Sequence, residues 1–125
     1  MERGRHRARA LGAKAERRAE RFLSRHGLTT LTRNFRCRFG EIDLVMAVDN
    51  CVVFVEVRYR SDDRFTLPAL TVDRRKQRKL VRAAAIYIAA QPRLSDRTLR
   101  FDVVAIAGNS IEWIADAFRP ADSSL

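Results

Sequence analysis

Glu56 is an acidic residue inside the otherwise apolar run of residues 52–57, which predicts a buried strand. An unpaired carboxylate is costly to bury, so Glu56 needs a cation, a hydrogen-bond network, a metal ion or water at the strand end. Arg58 follows two residues later and therefore lies on the same face of the strand. A plain ion pair between Glu56 and Arg58 is one of these explanations, and a metal site is another.

Asp43 is a second carboxylate, in the preceding predicted strand, with Glu41 on the same face. Asp49 and Asn50 predict a two-residue turn, so residues paired across this hairpin have numbers that sum to 99, which places Asp43 opposite Glu56. Like charges in direct register repel each other, and a divalent cation would offset that repulsion. Carboxylate oxygens are hard ligands, which suit Mg²⁺ or Mn²⁺.

Hydrophobic periodicity predicts the elements that position these residues. It indicates a helix over residues 8–26 that ends at Gly27, strands over 28–35, 42–48 and 51–57, a second helix over 72–90, and strands over 99–107 and 111–114. The polar residues 61–68 predict a loop, and the first few residues and residues 121–125 are expected to be flexible. The order helix, three strands, helix, two strands predicts a single α/β domain with a mixed sheet flanked by helices.

Charge is the most informative feature of the composition. The 125 residues suit one domain, and 25 Lys and Arg against 15 Asp and Glu give a formal net charge of +10. Residues 1–38 carry a net charge of +9 and residues 73–82 a net charge of +5. Either cluster alone is also explained as a solvated helix face, but the two together favour a polyanionic partner, with nucleic acid first.

Several functional classes are excluded on composition. The longest uncharged apolar stretch, residues 83–90, is too short to cross a bilayer, so no membrane association is expected. No apolar segment follows the basic N-terminus as a signal peptide requires, and two cysteines, Cys37 and Cys51, are too few for a disulfide framework. We therefore expect a cytoplasmic protein.

Aromatic residues offer a weaker signal. Phe35, Phe39 and Tyr59 could stack on nucleobases, although Phe is more often a core residue. Trp113 is expected to close the core beside the last hairpin.

Several segments together resemble the YraN family of small bacterial proteins, which is assigned a restriction-endonuclease-like fold of PD-(D/E)XK type. The most specific are GEIDLV at residues 40–45 and FVEV at residues 54–57. The resemblance spans nearly the whole chain, and its other matching positions are Leu11, Gly12, Glu16, Ala19, Gly27, residues 33–36, residues 58–60, Lys76 and residues 100–104.

The resemblance implies a metal site in which Asp43 and Glu56 bind the ion, while Glu16 on the first helix supports the metal or its water. The family pattern has Lys where this chain has Arg58. Because Arg keeps its charge at any relevant pH, Arg58 could stabilise developing negative charge but could not accept a proton. The basic side chains expected to hold the nucleic-acid backbone are Arg36, Arg60, Arg74, Arg75, Lys76 and Lys79.

The resulting expectation is a metal-dependent endonuclease that uses Mg²⁺ or Mn²⁺ to hydrolyse phosphodiester bonds in DNA, including branched or damaged DNA. Cleavage of both strands would favour a homodimer. One alternative is a non-catalytic nucleic-acid-binding module on the same fold, with Glu56 and Arg58 held as an ion pair. Another is a protein-interaction subunit that docks an acidic partner or ribosomal RNA.

Overall fold

The computed structural model describes residues 2–60 and 72–120, with side chains described from residue 11 onward. The predicted loop at residues 61–68 and the tail at 121–125 lie outside the described residues. The elements are α1 (Glu2–Arg25), β1 (Thr29–Cys37), β2 (Gly40–Val48), β3 (Cys51–Arg60), α2 (Arg74–Ala89), a short 3₁₀ helix (Pro92–Leu94), β4 (Thr98–Ala107) and β5 (Ser110–Phe118).

The strands form one mixed sheet in the order β1-β2-β3-β4-β5. Strands β3 and β4 are parallel, and every other neighbouring pair is antiparallel. A parallel pair needs a long connection, which here contains α2. The protein is therefore a single α/β domain with the predicted order of helices and strands.

The two helices cover opposite faces of this sheet. Alternate residues of a strand point to opposite faces, and β3 follows that rule. Val53 and Val55 pack in one buried cluster with Ala15, Ala19 and Leu23 of α1. Val52 and Phe54 pack in a second cluster with Leu80, Ala84 and Tyr87 of α2. Burial of these apolar stripes fixes where each helix presents its polar residues.

The ends of the helices follow from local chemistry. After α1, Gly27 has a φ of +93°, its N–H donates to Ser24 O, and Leu28 N–H donates to Leu23 O, the pattern of a Schellman motif. Asp73 caps α2 by accepting a 2.8 Å hydrogen bond from the backbone N–H of Lys76. Helix α1 begins at Glu2 rather than at residue 8, because its Arg-rich start favours a helix without showing apolar periodicity.

Strand β5 is longer than predicted because it contains an irregularity. The prediction covered residues 111–114, whereas the strand runs over Ser110–Phe118 and its pairing with β4 shifts between Phe101 and Val103. At this shift Asp116 has a φ of +53°, and its N–H donates to Asp102 Oδ1 at 2.9 Å. The shift breaks the two-residue alternation on which sequence reasoning depends.

Asp102 is almost fully buried and holds β4 and β5 together. Besides Asp116 N–H, it accepts two hydrogen bonds from Arg100, at 2.9 and 2.8 Å, and one of 2.9 Å from Trp113 Nε1. Trp113 packs on Phe22 and the α1 core cluster, as predicted for a residue that closes the core. Among the described helices, none is long and apolar enough to cross a membrane.

Candidate metal centre

The hairpin of β2 and β3 has the predicted register. Asp49 takes a φ of +51° in the turn, and the pairs run from Val48 with Cys51 to Leu44 with Val55. The paired segment stops one step before Asp43 and Glu56, which the same register places at one level. Instead of a regular ladder bond, the N–H of Val57 donates to Asp43 Oδ2 at 2.8 Å.

Strand β2 is irregular at Asp43, so the side chains on either side of it do not follow the two-residue alternation between the faces of the sheet. Ile42 packs in the core cluster of α2, whereas Leu44 packs in the core cluster of α1, although residues two apart in a regular strand share a face. On the neighbouring strand, Asn34 faces the same point and has a φ of +53°. Asn tolerates this left-handed conformation better than most residues. Asp43 thus fills the gap where β2 and β3 separate.

Three carboxylates converge at this gap. One oxygen from each of Glu16, Glu41 and Asp43 lies within 4.8 Å of the others, and we call these three residues the carboxylate trio. The Nδ2 amide of Asn34 donates to Glu16 Oε1 and to Glu41 Oε1, at 2.9 Å in both cases. Glu16 and Asp43 line an open cavity of about 370 Å³ between α1 and the first two strands. The trio is therefore reachable from solvent.

Packing of α1 determines the position of Glu16. Ala15 and Ala19 are buried against the sheet, so Glu16 lies at the border of that interface. One turn later, Glu20 accepts hydrogen bonds from Arg33 and Thr30 of β1. The Arg33 hydrogen bond holds the pKa of Glu20 below its ordinary value, so Glu20 stays ionised and engaged. The contacts of Glu20 therefore hold α1 against β1, and Glu16 contributes its carboxylate to the trio.

Asp43 is the electrostatically strained member of the trio. Its burial, followed by the negative charge of Glu56, raises the pKa of Asp43 from the ordinary 3.8 to about 8. The hydrogen bond from Val57 N–H acts in the opposite direction, and the charge of Glu16 adds to the increase. A nearby cation would favour the ionised form of this carboxyl group.

Glu56 lies beside Asp43, where its charge and a side-chain hydrogen bond both raise the pKa of the Asp43 carboxyl group, and it also pairs with two cations. It is 7% exposed, and its Oε2 is 3.5 Å from Lys76 Nζ and 3.9 Å from Arg58 Nε. The ion pair with Arg58 considered from the sequence is present, but Lys76 of α2 comes closer. Within the described part of the chain, the buried Nε of Arg58 has no hydrogen-bond acceptor.

The donor set of the trio fits a divalent metal. All three ligand atoms are carboxylate oxygens, which Mg²⁺ and Mn²⁺ prefer, and the group contains no histidine or cysteine that would favour zinc. The raised pKa of Asp43 comes first from burial and then from the charge of Glu56, and a bound cation would offset both effects.

The structure brings together some of the predicted site residues and separates others. Glu16, Asp43, Glu56 and Arg58 meet at the end of the β2–β3 pairing. Lys76, expected only to bind nucleic acid, also contacts Glu56 and is half-exposed. The remaining predicted nucleic-acid contacts are exposed on the surface: Arg36, Arg60, Arg74, Arg75 and Lys79.

Glu41 and Asn34 are site residues whose roles were not predicted from the sequence. Glu41 gave a usable signal, since it is two residues before Asp43 in the same strand. Asn34 lies in the segment 33–36 that carries the family resemblance, but its role gave no local signal, because that role depends on a left-handed backbone and on contacts with α1. Arg36 lies 3.8 Å from Glu41 Oε1 and is largely exposed, so it adds positive charge at the border of the trio.

The three aromatic candidates have different positions. Phe35 packs in the core, with its ring centroid 5.1 Å from that of Tyr87. Tyr59 is 39% exposed near the end of β3. Phe39 lies in the β1–β2 turn, is half-buried and belongs to neither core cluster of the described residues.

Sequence comparison gives the family. Residues 15–106 match the sequence model of the family described as "Uncharacterised protein family UPF0102". The chain belongs to this family. It is 50% identical over 110 residues to a UPF0102 protein of Nitrosomonas europaea. This alignment covers 86% of this chain and 92% of the relative. The matched range contains the carboxylate trio and Glu56.

Other relatives have similar coverage. A UPF0102 protein of Halorhodospira halophila is 49% identical over 108 residues, covering 86% of each chain. One of Saccharophagus degradans is 47% identical over 107 residues, covering 86% of this chain and 91% of the relative. These names assign a family and carry no activity.

Proposed function

We propose that the protein is a metal-dependent endonuclease that hydrolyses phosphodiester bonds in DNA. The observation that carries this proposal is the convergence of Glu16, Glu41 and Asp43 within 4.8 Å of one another. The trio lies in a chain of net charge +10, which attracts the phosphate backbone. An acidic centre on a basic protein is the combination that a phosphodiesterase with a divalent cation requires.

The fold supports a restriction-endonuclease-like assignment of the YraN type. Helix α1 precedes an antiparallel β1–β2–β3 unit, and α2 then leads to the parallel strand β4. The carboxylates lie where β2 and β3 separate, in the segments that carry the resemblance. This agreement between motif position and strand geometry is the reason for the assignment.

Glu16, Glu41 and Asp43 would hold Mg²⁺ or Mn²⁺, with Glu56 beside them. The bound cation would supply Lewis-acid chemistry, polarising the scissile phosphate and activating water. Asp43 would bind it as the ionised carboxylate, whose orientation the N–H of Val57 fixes. Asn34 holds Glu16 and Glu41 side by side through its amide.

Two cationic side chains complete the site. The guanidinium of Arg58 would stabilise negative charge that develops on the phosphate. Lys76 offers a second positive charge from α2, 3.5 Å from Glu56. The exposed Arg74, Arg75 and Lys79 continue this positive surface along α2 and would bind the neighbouring phosphates.

A non-catalytic DNA-binding module is the second candidate. It is favoured by one observation, the pairing of Glu56 with both Lys76 and Arg58, which neutralises that carboxylate without a metal. Such a module would hold DNA in the presence of a chelator, with a strong salt dependence, and would never cut it.

Cleavage assays separate the two candidates. Labelled duplex, single-stranded and four-way-junction DNA are incubated with the wild type, Asp43→Asn and the exposed control Glu112→Gln, in Mg²⁺, in Mn²⁺ and in chelator. If the protein is a nuclease, the wild type and the control form products only in metal. The rate of product formation by Asp43→Asn is then at least about a hundredfold lower. Salt-sensitive binding with no cleavage of any substrate would support the binding module instead.

A further inference from the structure

We propose that a small basic pocket beside the carboxylates binds an unpaired nucleotide of single-stranded DNA, with the base stacked on Phe39 and the phosphate bound by Lys79. This inference rests on the proposed function and names the substrate class of that site. The pocket has a volume of about 120 Å³ and lies between the β1–β2 turn and α2. Its lining residues are Phe39, Gly40, Glu41, Lys76, Lys79 and Leu80.

The pocket adjoins the proposed metal centre through two residues. Glu41 lines the pocket and also belongs to the carboxylate trio. Lys76 lines the pocket and also lies 3.5 Å from Glu56. A strand whose scissile phosphate reaches the trio would therefore place a neighbouring nucleotide in this pocket.

Phe39 is suited to stacking because its ring belongs to neither core cluster of the described residues. The ring is half-buried. Among the described residues, the guanidinium groups of Arg38 and Arg82 lie over it, at 4.9 and 5.5 Å from the ring centroid. Phe35, four residues earlier, packs against Tyr87 instead. Aromatic rings and guanidinium planes are the groups on which proteins stack unpaired bases.

The charges around Phe39 are available for a phosphate. Within the part of the chain that the structure describes, Lys79, Arg38 and Arg82 take part in no ion pair, and all three side chains are exposed. Uncompensated cations of this kind attract the nucleic-acid backbone. Together with Phe39 they offer one surface for a base and another for the phosphate attached to it.

The geometry selects an unpaired base over a paired one. In a duplex the faces of each base are covered by its stacked neighbours, so a protein side chain reaches a face only where the base is unpaired or extruded. A single-stranded tail, flap or junction arm supplies such a base without the cost of opening a duplex. Single-stranded DNA is therefore the form that fits the pocket.

Binding of a short single-stranded oligonucleotide that contains 2-aminopurine tests this inference. Affinity is followed by anisotropy, and stacking by quenching of 2-aminopurine fluorescence, both in chelator so that no cleavage occurs. Phe39→Leu should lower the affinity about tenfold and abolish the quenching, while Phe39→Tyr should retain both. Leu99→Ala, which shortens an exposed apolar side chain of β4, is the control and should change neither.

The phosphate contact has its own readout. Lys79→Gln should weaken binding and reduce the slope of log affinity against log salt by about one, whereas the exposed control Arg93→Gln should leave that slope unchanged. Unchanged affinity and quenching in Phe39→Leu, with cleavage by the wild type intact, would overturn the subsite alone. Loss of quenching in Phe39→Leu, in a wild type that never cleaves DNA in metal, would support the nucleotide site and overturn the nuclease.

Discussion

Asp43 accepts a 2.8 Å hydrogen bond from the backbone N–H of Val57, just beyond the last regular pair of β2 and β3. This contact occupies a backbone donor that the interrupted ladder would otherwise leave without a partner. It also holds the partly buried Asp43 carboxylate next to Glu56. In this position, burial and then the charge of Glu56 raise the pKa of Asp43.

The stability of the metal-free protein should depend on pH through Asp43. In the folded state the pKa of this group is about 8, against 3.8 as its ordinary value in an unfolded chain. Between about pH 4 and about pH 8 the folded state keeps a proton that the unfolded chain releases, so the free energy of unfolding falls as pH rises. Urea unfolding in chelator should show this fall in the wild type relative to Asp43→Asn. Parallel pH profiles for the two proteins would contradict the assignment.

Lys76 should affect metal binding and cleavage in opposite directions. Lys76→Met removes a positive charge 3.5 Å from Glu56, so Mn²⁺ should bind several-fold more tightly. The same change removes a cation from the phosphate site, so DNA cleavage should fall at least about tenfold. Calorimetry and a cleavage assay measure the two effects, with the exposed Arg93→Met as the control. A loss of both properties would indicate that Lys76 acts only by supporting the fold.

Asp102 should matter for stability and not for metal binding. Asp102→Asn places an amide among donors from Arg100, Trp113 and Asp116, which leaves buried polar groups unpaired. We expect the free energy of unfolding to fall by about 3–5 kcal/mol, measured by urea denaturation. The exposed Asp96→Asn should change it by less than about 0.5 kcal/mol. Equal effects of the two substitutions would disprove the structural role of Asp102.

Local patterns were sufficient to predict the opposed carboxylates. The two-residue turn at Asp49 and Asn50, with a two-residue period on either side, fixed the register that places Asp43 at the level of Glu56. The order of helices and strands followed from periodicity in the same way. Glu16, by contrast, came only from the family resemblance, because a glutamate at the border of a helix has no distinguishing local pattern.

Contacts between distant segments were beyond sequence reasoning. Lys76 reaches Glu56 only because α2 packs on one face of the sheet, and one charge in a basic helix does not reveal this. Asn34, which itself has a left-handed backbone in β1, donates hydrogen bonds to both Glu16 and Glu41. The extra length of β5 depends on the contact of Asp116 with buried Asp102. Each of these features requires the tertiary structure.

Calorimetric titration of Mn²⁺ into the wild type, Asp43→Asn, Glu41→Gln and Glu112→Gln tests the metal centre most directly. Glu41 is decisive, because the structure includes it in the trio while Glu112 is an exposed glutamate of β5. We expect one bound ion in the wild type and in Glu112→Gln, with affinity at least about tenfold lower in the other two variants. Equal affinity in all four proteins, or no binding by the wild type, would contradict it.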